Sequence, residues 1–198
     1  MSIQNTIEQV EGADVAVAKA AAPLQHHPVT KALGQVSEIA DQPPMFTLGA
    51  LVLGAGVLAG QPRVTETGLR LLVAVGLATA MKSAVKNVVG RTRPYVLADE
   101  GRYETQLMGP VEKDWNSFPS GHTADAVSAA RAVARVWPEL RVPAYVAAGA
   151  VAAIQIPRCA HYPSDIAAGA LVGVAAEFLA DRTLEGTARQ VAPRVQAG

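Results

Sequence analysis

Phe118-Pro119-Ser120-Gly121-His122-Thr123 is where this chain declares its chemistry. A Ser and a Gly precede a His, and an Ala-rich helical run begins at Thr123. Helix N-termini carry backbone N–H groups without intrahelical partners and the positive end of the helix dipole, so they suit a bound phosphate. Gly121, with no Cβ, lets the backbone approach such an anion. His122 adds a group that gives or takes a proton near neutral pH. Alone, the six residues read equally as an ordinary helix cap beside a surface His. Two flanking stretches decide between these readings: Lys86 to Pro94 upstream and Arg158 to Asp165 downstream.

The chain has 198 residues, half of them hydrophobic and 17% charged, with mean hydropathy +0.20. That is apolar for a soluble domain and bounds the fold to one domain or one compact membrane bundle. Seventeen basic and seventeen acidic residues cancel, so nothing points to nucleic acid. The single Cys159 excludes an internal disulfide and a Cys-based zinc site. Residues 1–25 carry Glu8, Glu11 and Asp14 and no basic start, so no secretory signal peptide is expected.

Taken in order, residues 1–28 read as a tail or a short amphipathic helix, and His26-His27 as a loop, not a metal pair. Residues 29–42 form another short helix closed by Pro43-Pro44. The run 45–60 is uncharged Leu, Val, Ala and Gly and is the best transmembrane candidate. Further apolar helices are expected over 69–89, 123–137, 142–156 and 166–180, with 182–198 a frayed polar tail. The expected class is all-α: a membrane-embedded bundle of about five apolar helices over 29–181, with no strand pattern. Gly and Ala along these helices permit close packing, as membrane interfaces prefer. If the helices alternate, Lys86, His122 and His161 share one side. The other side receives Arg63, Arg70, Arg135, Arg141, Arg182, Arg189 and Arg194 as cytoplasmic anchors, placing the site outside.

Lys86 and Arg93 stand seven apart at the end of a helix closed before Pro94. His161 and Asp165 stand four apart, which on a helical turn sets a carboxylate against an imidazole. Together with Ser120-Gly121-His122, these groups resemble the three motifs of the type 2 phosphatidic acid phosphatase superfamily, which includes vanadium haloperoxidases. Those motifs are Lys-x6-Arg-Pro, Pro-Ser-Gly-His and Ser-Arg-x5-His-x3-Asp, and the resemblance spans roughly residues 30–180. The first two are matched in full. In the third, Gln155 stands where the family has Arg, preceded by Ile154 in place of Ser. Arg158 lies about one helical turn further on; it either supplies the missing guanidinium or leaves the phosphate site weakened.

The resemblance implies a metal-free phosphoryl transfer with no cofactor. His161 would attack phosphorus, Asp165 would orient its ring, and His122 would protonate the leaving oxygen and then activate water. Lys86, Arg93, Arg158, Ser120 and Gly121 would hold the phosphate. The implied substrate is a lipid or isoprenoid phosphate whose tail stays in the bilayer of a bacterial plasma membrane, hydrolysed on the extracytoplasmic face. Two other readings stand beside it: a weakened site that binds a phospholipid headgroup without turnover, and a vanadate-dependent haloperoxidase.

Overall fold

Prolines punctuate this chain at helix starts. Pro28, Pro43, Pro62, Pro94 and Pro163 each occupy the first turn of a helix. There the N–H that proline lacks has no intrahelical partner to lose. The computed structural model describes residues 3–110 and 112–195. Among these the α-helices are α1 (Ile3–Ala21), α2 (Pro28–Ser37), α3 (Gln42–Leu58), α4 (Pro62–Lys86), α5 (Pro94–Glu100), α6 (Gly121–Val136), α7 (Arg141–Ile154) and α8 (Pro163–Val195).

The expectation of a helical bundle holds, with corrections at its edges. The long connection after α4 contains an antiparallel pair, β1 (Val89–Arg91) and β2 (Thr105–Leu107), with Gly90 opposite Gln106. Three-residue strands are too short to display a period-two pattern, so the sequence gives no sign of them. Pro94 opens α5 and does not close the helix carrying Lys86, which has already ended. Pro43 likewise opens α3; the segment before it ends in a 3-10 turn, Glu38–Ala40. The last helix runs well past Ala180, to Val195. His27 is an N-cap: its Nδ1 accepts from the Val29 N–H at 3.2 Å.

The centre of the bundle is made of α4, α6 and α8. Leu71, Ala74 and Val75 pack against Ala129, Ala132 and Ala180, and a second cluster joins Ala126 and Ala130 to Ala148 of α7. Small residues set these distances. A Cβ on Gly68 would stand 2.2 Å from the Leu53 nitrogen, and one on Gly169 would stand 2.4 Å from the Ser120 carbonyl oxygen. Gly169 thus fixes how near α8 comes to the start of α6. Gly169→Ala is expected to force that junction apart, costing about 1–3 kcal/mol of stability and lowering turnover; thermal unfolding in detergent beside an activity assay checks both.

The stretches Pro62–Lys86 and Pro163–Thr187 are long and apolar enough to cross a bilayer, and Gln42–Leu58 is a shorter apolar helix. Leu51, Val57 and Leu58 of α3, Val142 and Val146 of α7 and Leu171 of α8 point outward and exposed. A surface of this kind suits hydrocarbon. The charges inside the bundle are paired, as such an environment demands. Lys82 bonds Asp125, Glu177 receives Arg131 and Arg135, and Asp181 receives Arg70 at 2.7 Å. Arg70 and Arg135, counted above as membrane anchors, are therefore committed to internal partners.

α1 is tied to the body by a polar contact. Asp14, buried, accepts from Arg91 Nη2 at 2.8 Å, from the Ser164 N–H at 3.0 Å and from the Ser164 hydroxyl. Ala18 packs beside Leu97 and Tyr162.

Candidate active site

The C-terminal ends of α4 and α7 and the N-terminal ends of α6 and α8 meet at one end of the bundle. They surround a cavity of about 340 Å³. Lys82, Lys86, Arg93 and Arg158 line it with both His122 and His161, and Gly121 lies at its edge. The three separated stretches of sequence therefore converge. One wall is acidic: Glu38 and Asp41, from the segment before α3, face the cations.

His161 sits just before α8, almost fully buried. Its Nδ1 lies 2.7 Å from the Ser117 carbonyl oxygen. A carbonyl only accepts, so Nδ1 carries the proton and Nε2 keeps its lone pair. Burial holds this imidazole well below its ordinary proton affinity, and the charges of Arg93 and Lys86 push the same way. Both effects favour the neutral ring, the form a nucleophile requires.

Asp165 does not bond the imidazole directly. The nearest approach is 3.9 Å, and the carboxylate is occupied elsewhere. Oδ2 accepts from the Ser117 hydroxyl at 2.6 Å and the Tyr162 N–H at 2.8 Å, and Oδ1 accepts from Arg91 Nη1 at 2.7 Å. Asp165 thus holds Ser117, and Ser117 holds His161. Burial opposes the charge on Arg91, but Asp165, Asp14 and Tyr103 outweigh it and raise its proton affinity. A chain of contacts therefore runs from α1 through Asp14, Arg91, Asp165 and Ser117 to His161.

The cations are aimed by backbone carbonyls of the loop before α6. Lys86 Nζ donates to the Asn116 carbonyl at 2.7 Å, and Arg93 Nε donates to the Lys113 carbonyl at 3.0 Å. Ser120, expected to contact phosphate through its hydroxyl, is buried and turned inward. Its Oγ pairs with Thr123 Oγ1 at 2.9 Å and accepts from the Thr123 N–H at 3.4 Å. Ser120 is the N-cap of α6, and the N–H groups of Gly121 and His122, which precede the helix's own ladder, are the donors this end offers.

His122 has a buried Nε2 with no hydrogen-bond partner, 3.5 Å from Glu38 Oε2. Burial lowers its proton affinity below the ordinary imidazole value, and Arg158 adds to this, while Glu38 and Asp41 oppose it. Arg158 lines the cavity together with Lys86 and Arg93. Its Nη1 donates to Ser37 Oγ at 2.7 Å and reaches Gln155 Oε1 at 3.4 Å, and its Nη2 bonds Glu38. Gln155 is itself fully buried, donating to the Val151 carbonyl at 2.9 Å. The residue standing in the family's Arg position thus faces protein and steadies the Arg one turn beyond.

Lys82, Arg91, Ser117, Glu38 and Asp14 are contributors that the motifs do not mark. Lys82 alone leaves a trace in the sequence, one turn before Lys86 on the same helix face.

The model of the PAP2 superfamily matches residues 67–185 of this chain. Two lipid A 1-phosphatases are similar in sequence. The one from Rhizobium etli is 31% identical over 111 residues, 56% of this chain and 47% of that protein. The one from Rhizobium johnstonii is 29% identical over 110 residues, 56% of this chain and 45% of that protein. The chain thus spans about half the length of these relatives. Among solved structures, Aquifex aeolicus LpxE superposes with a TM-score of 0.62 at 19% identity, covering 84% of this chain and 93% of that one. A transmembrane PAP2-type phosphatidylglycerolphosphate phosphatase from Bacillus subtilis gives 0.64 at 22% identity, covering 90% and 87%. At these identities the likeness is one of fold.

Proposed function

Since the chain belongs to the PAP2 superfamily, we propose that it is a lipid phosphate phosphatase working through a phosphohistidine at His161, without metal or cofactor. The observation that carries this is the pairing of two imidazoles in one cationic cavity, His161 buried and His122 partly so, each with a distinct bonding state. His161 has its Nδ1 proton held by the Ser117 carbonyl, while His122 presents an unpartnered Nε2. The first state fits a nucleophile and the second a proton donor and acceptor.

In the proposed reaction His161 Nε2 attacks phosphorus and the ester P–O bond breaks. His122 passes its proton to the leaving alkoxide oxygen. His122 then takes a proton from water, which attacks the phosphohistidine, and phosphate departs with Nε2 restored. Lys86, Arg93 and Arg158, with the Gly121 and His122 N–H groups, balance the charge on the peripheral oxygens. The imidazolium-like character that His161 gains is stabilised by Asp165 through space and through Ser117.

The names of the relatives and the apolar flanks of α3, α7 and α8 favour a substrate whose chains lie in the bilayer while its phosphate reaches the polar end of the bundle. Leu107 and Met108, exposed at the end of β2 next to Val88 and Val89, suit the headgroup boundary. An extracytoplasmic site in a bacterial plasma membrane is supported by Arg63, Arg141 and Arg182 at the opposite end.

The test is phosphate release from a panel of lipid phosphates in detergent with EDTA, comparing wild type with Arg158→Ala. Release from wild type, with kcat/KM about 10²–10³-fold lower in the variant, is expected if Arg158 stands in for the Arg absent at Gln155. No release from any lipid phosphate favours the reading kept open by Gln155, a protein that binds a phospholipid headgroup without turnover.

A further inference from the structure

Glu38 is the anomaly of this cavity: a carboxylate placed where a phosphate is expected to bind. It comes from the segment before α3, outside the residues matched by the family model. Its two oxygens serve different partners. Oε1 bonds Arg158 Nη2, and Oε2 lies 3.5 Å from the otherwise unpartnered His122 Nε2.

The same segment is shaped around Arg158. A Cβ on Gly34 would stand 3.0 Å from Arg158 Nε and 3.1 Å from its Cδ, so the glycine leaves room for this side chain to lie close against α2. Ser37 Oγ, one turn on, accepts from Arg158 Nη1 and itself donates to the Gly34 carbonyl at 2.7 Å. Gln155 closes the other side. Three consecutive contacts from α2 and its 3-10 extension therefore fix a guanidinium that lies off the family's usual position.

We propose that Glu38 is a positioning residue of this active site, aiming Arg158 over the phosphate cavity and holding His122 ready to donate its proton. The inference rests on the phosphatase reading given above. Glu38 then does for His122 what a carboxylate does for any imidazole it faces: it stabilises the protonated ring. The other charged and titratable groups around His122 are Asp41, which acts in the same sense, and Arg158, Lys82, Lys86, Arg93, Lys113 and His161, which oppose or compete. Glu38 is half exposed, so water screens its effect, and a modest shift is expected.

His122 must be protonated to assist the leaving group, so kcat/KM falls as pH rises through its titration. Removing the Glu38 charge moves that fall to lower pH. The experiment compares full-length wild type, Glu38→Gln and Glu38→Asp in detergent, measuring kcat and KM for a lipid phosphate from pH 4.5 to 8.5 (roughly the span over which an imidazole titrates). It is paired with NMR titration of the His122 ring. For Glu38→Gln the alkaline limb should move down by about half to one pH unit, so that kcat/KM on that limb falls about three- to tenfold while the acid side changes less. Glu38→Asp should restore the limb. The His122 midpoint should move with it.

A limb and a midpoint that stay in place in Glu38→Gln overturn the proposal. So does a rise in activity at every pH, which would make Glu38 a competitor of the substrate. If wild type releases no phosphate at all, the phosphatase reading fails, and the His122 midpoint still decides whether Glu38 controls that ring.

Discussion

Replacing His161 by Ala should abolish phosphate release, by about four orders of magnitude or more in kcat, with the fold intact. Among the described residues its ring belongs to no hydrophobic cluster and bonds the Ser117 carbonyl, so its removal leaves the bundle packing in place. The effect on catalysis is large because no neighbour substitutes for it. His122 is the other imidazole in the cavity, but it is facing Glu38, and the cations are donors only. Rates of phosphate release, with helical content by circular dichroism as the control, check this.

Asp165→Ala should cost both stability and activity. Asp165 is fully buried and accepts three hydrogen bonds, from Arg91, Ser117 and the Tyr162 N–H. Deleting it leaves Arg91 with Asp14 as its only carboxylate partner among the described residues and takes the acceptor from the Ser117 hydroxyl. Breaking a buried pair this way costs about 3–5 kcal/mol. Ser117 then loses the restraint that points its carbonyl at His161, so turnover of the folded fraction should fall as well. Asp165→Asn, which keeps the shape and one acceptor, should recover much of the stability and less of the rate. Unfolding transitions and kcat measured on the same preparations separate the two.

Much of the site could be read from the residues because the chemistry is carried by side chains in short spacings. Lys86 with Arg93, Ser120-Gly121-His122, and His161 with Asp165 each lie at or beside a helix end, and the apolar helices that bring those ends together announce themselves by composition. Other features have no such signature. The partner of the His161 ring is a backbone oxygen, at Ser117, and any residue type supplies one. Arg91 falls among the unspecified residues between Lys86 and Arg93, and Asp14 meets it only because α1 folds back across the chain. Ser120 looks like a phosphate ligand beside Gly121, yet its hydroxyl completes the α6 cap; cap and ligand use the same residue types. Arg158 could be placed near the cavity from its spacing, whereas its support from Gly34, Ser37 and Glu38 is a tertiary fact.

The same division explains the charges at the far end of the bundle. Arg70 and Arg135 count as anchors when the chain is read as a line. In three dimensions they are partners of Asp181 and Glu177. Buried acids such as Glu177 and Asp181 in an apolar bundle require such cations, but the sequence does not say which residues pair.

The covalent intermediate is the centre of this account, and it is tested most directly by rapid quenching of the enzyme with a lipid phosphate carrying labelled phosphorus. The expected result is label bound to the protein in an acid-labile, alkali-stable linkage, located at His161 by peptide mapping and absent from His161→Ala. Label on any other residue, or turnover at the wild-type rate without His161, would contradict it.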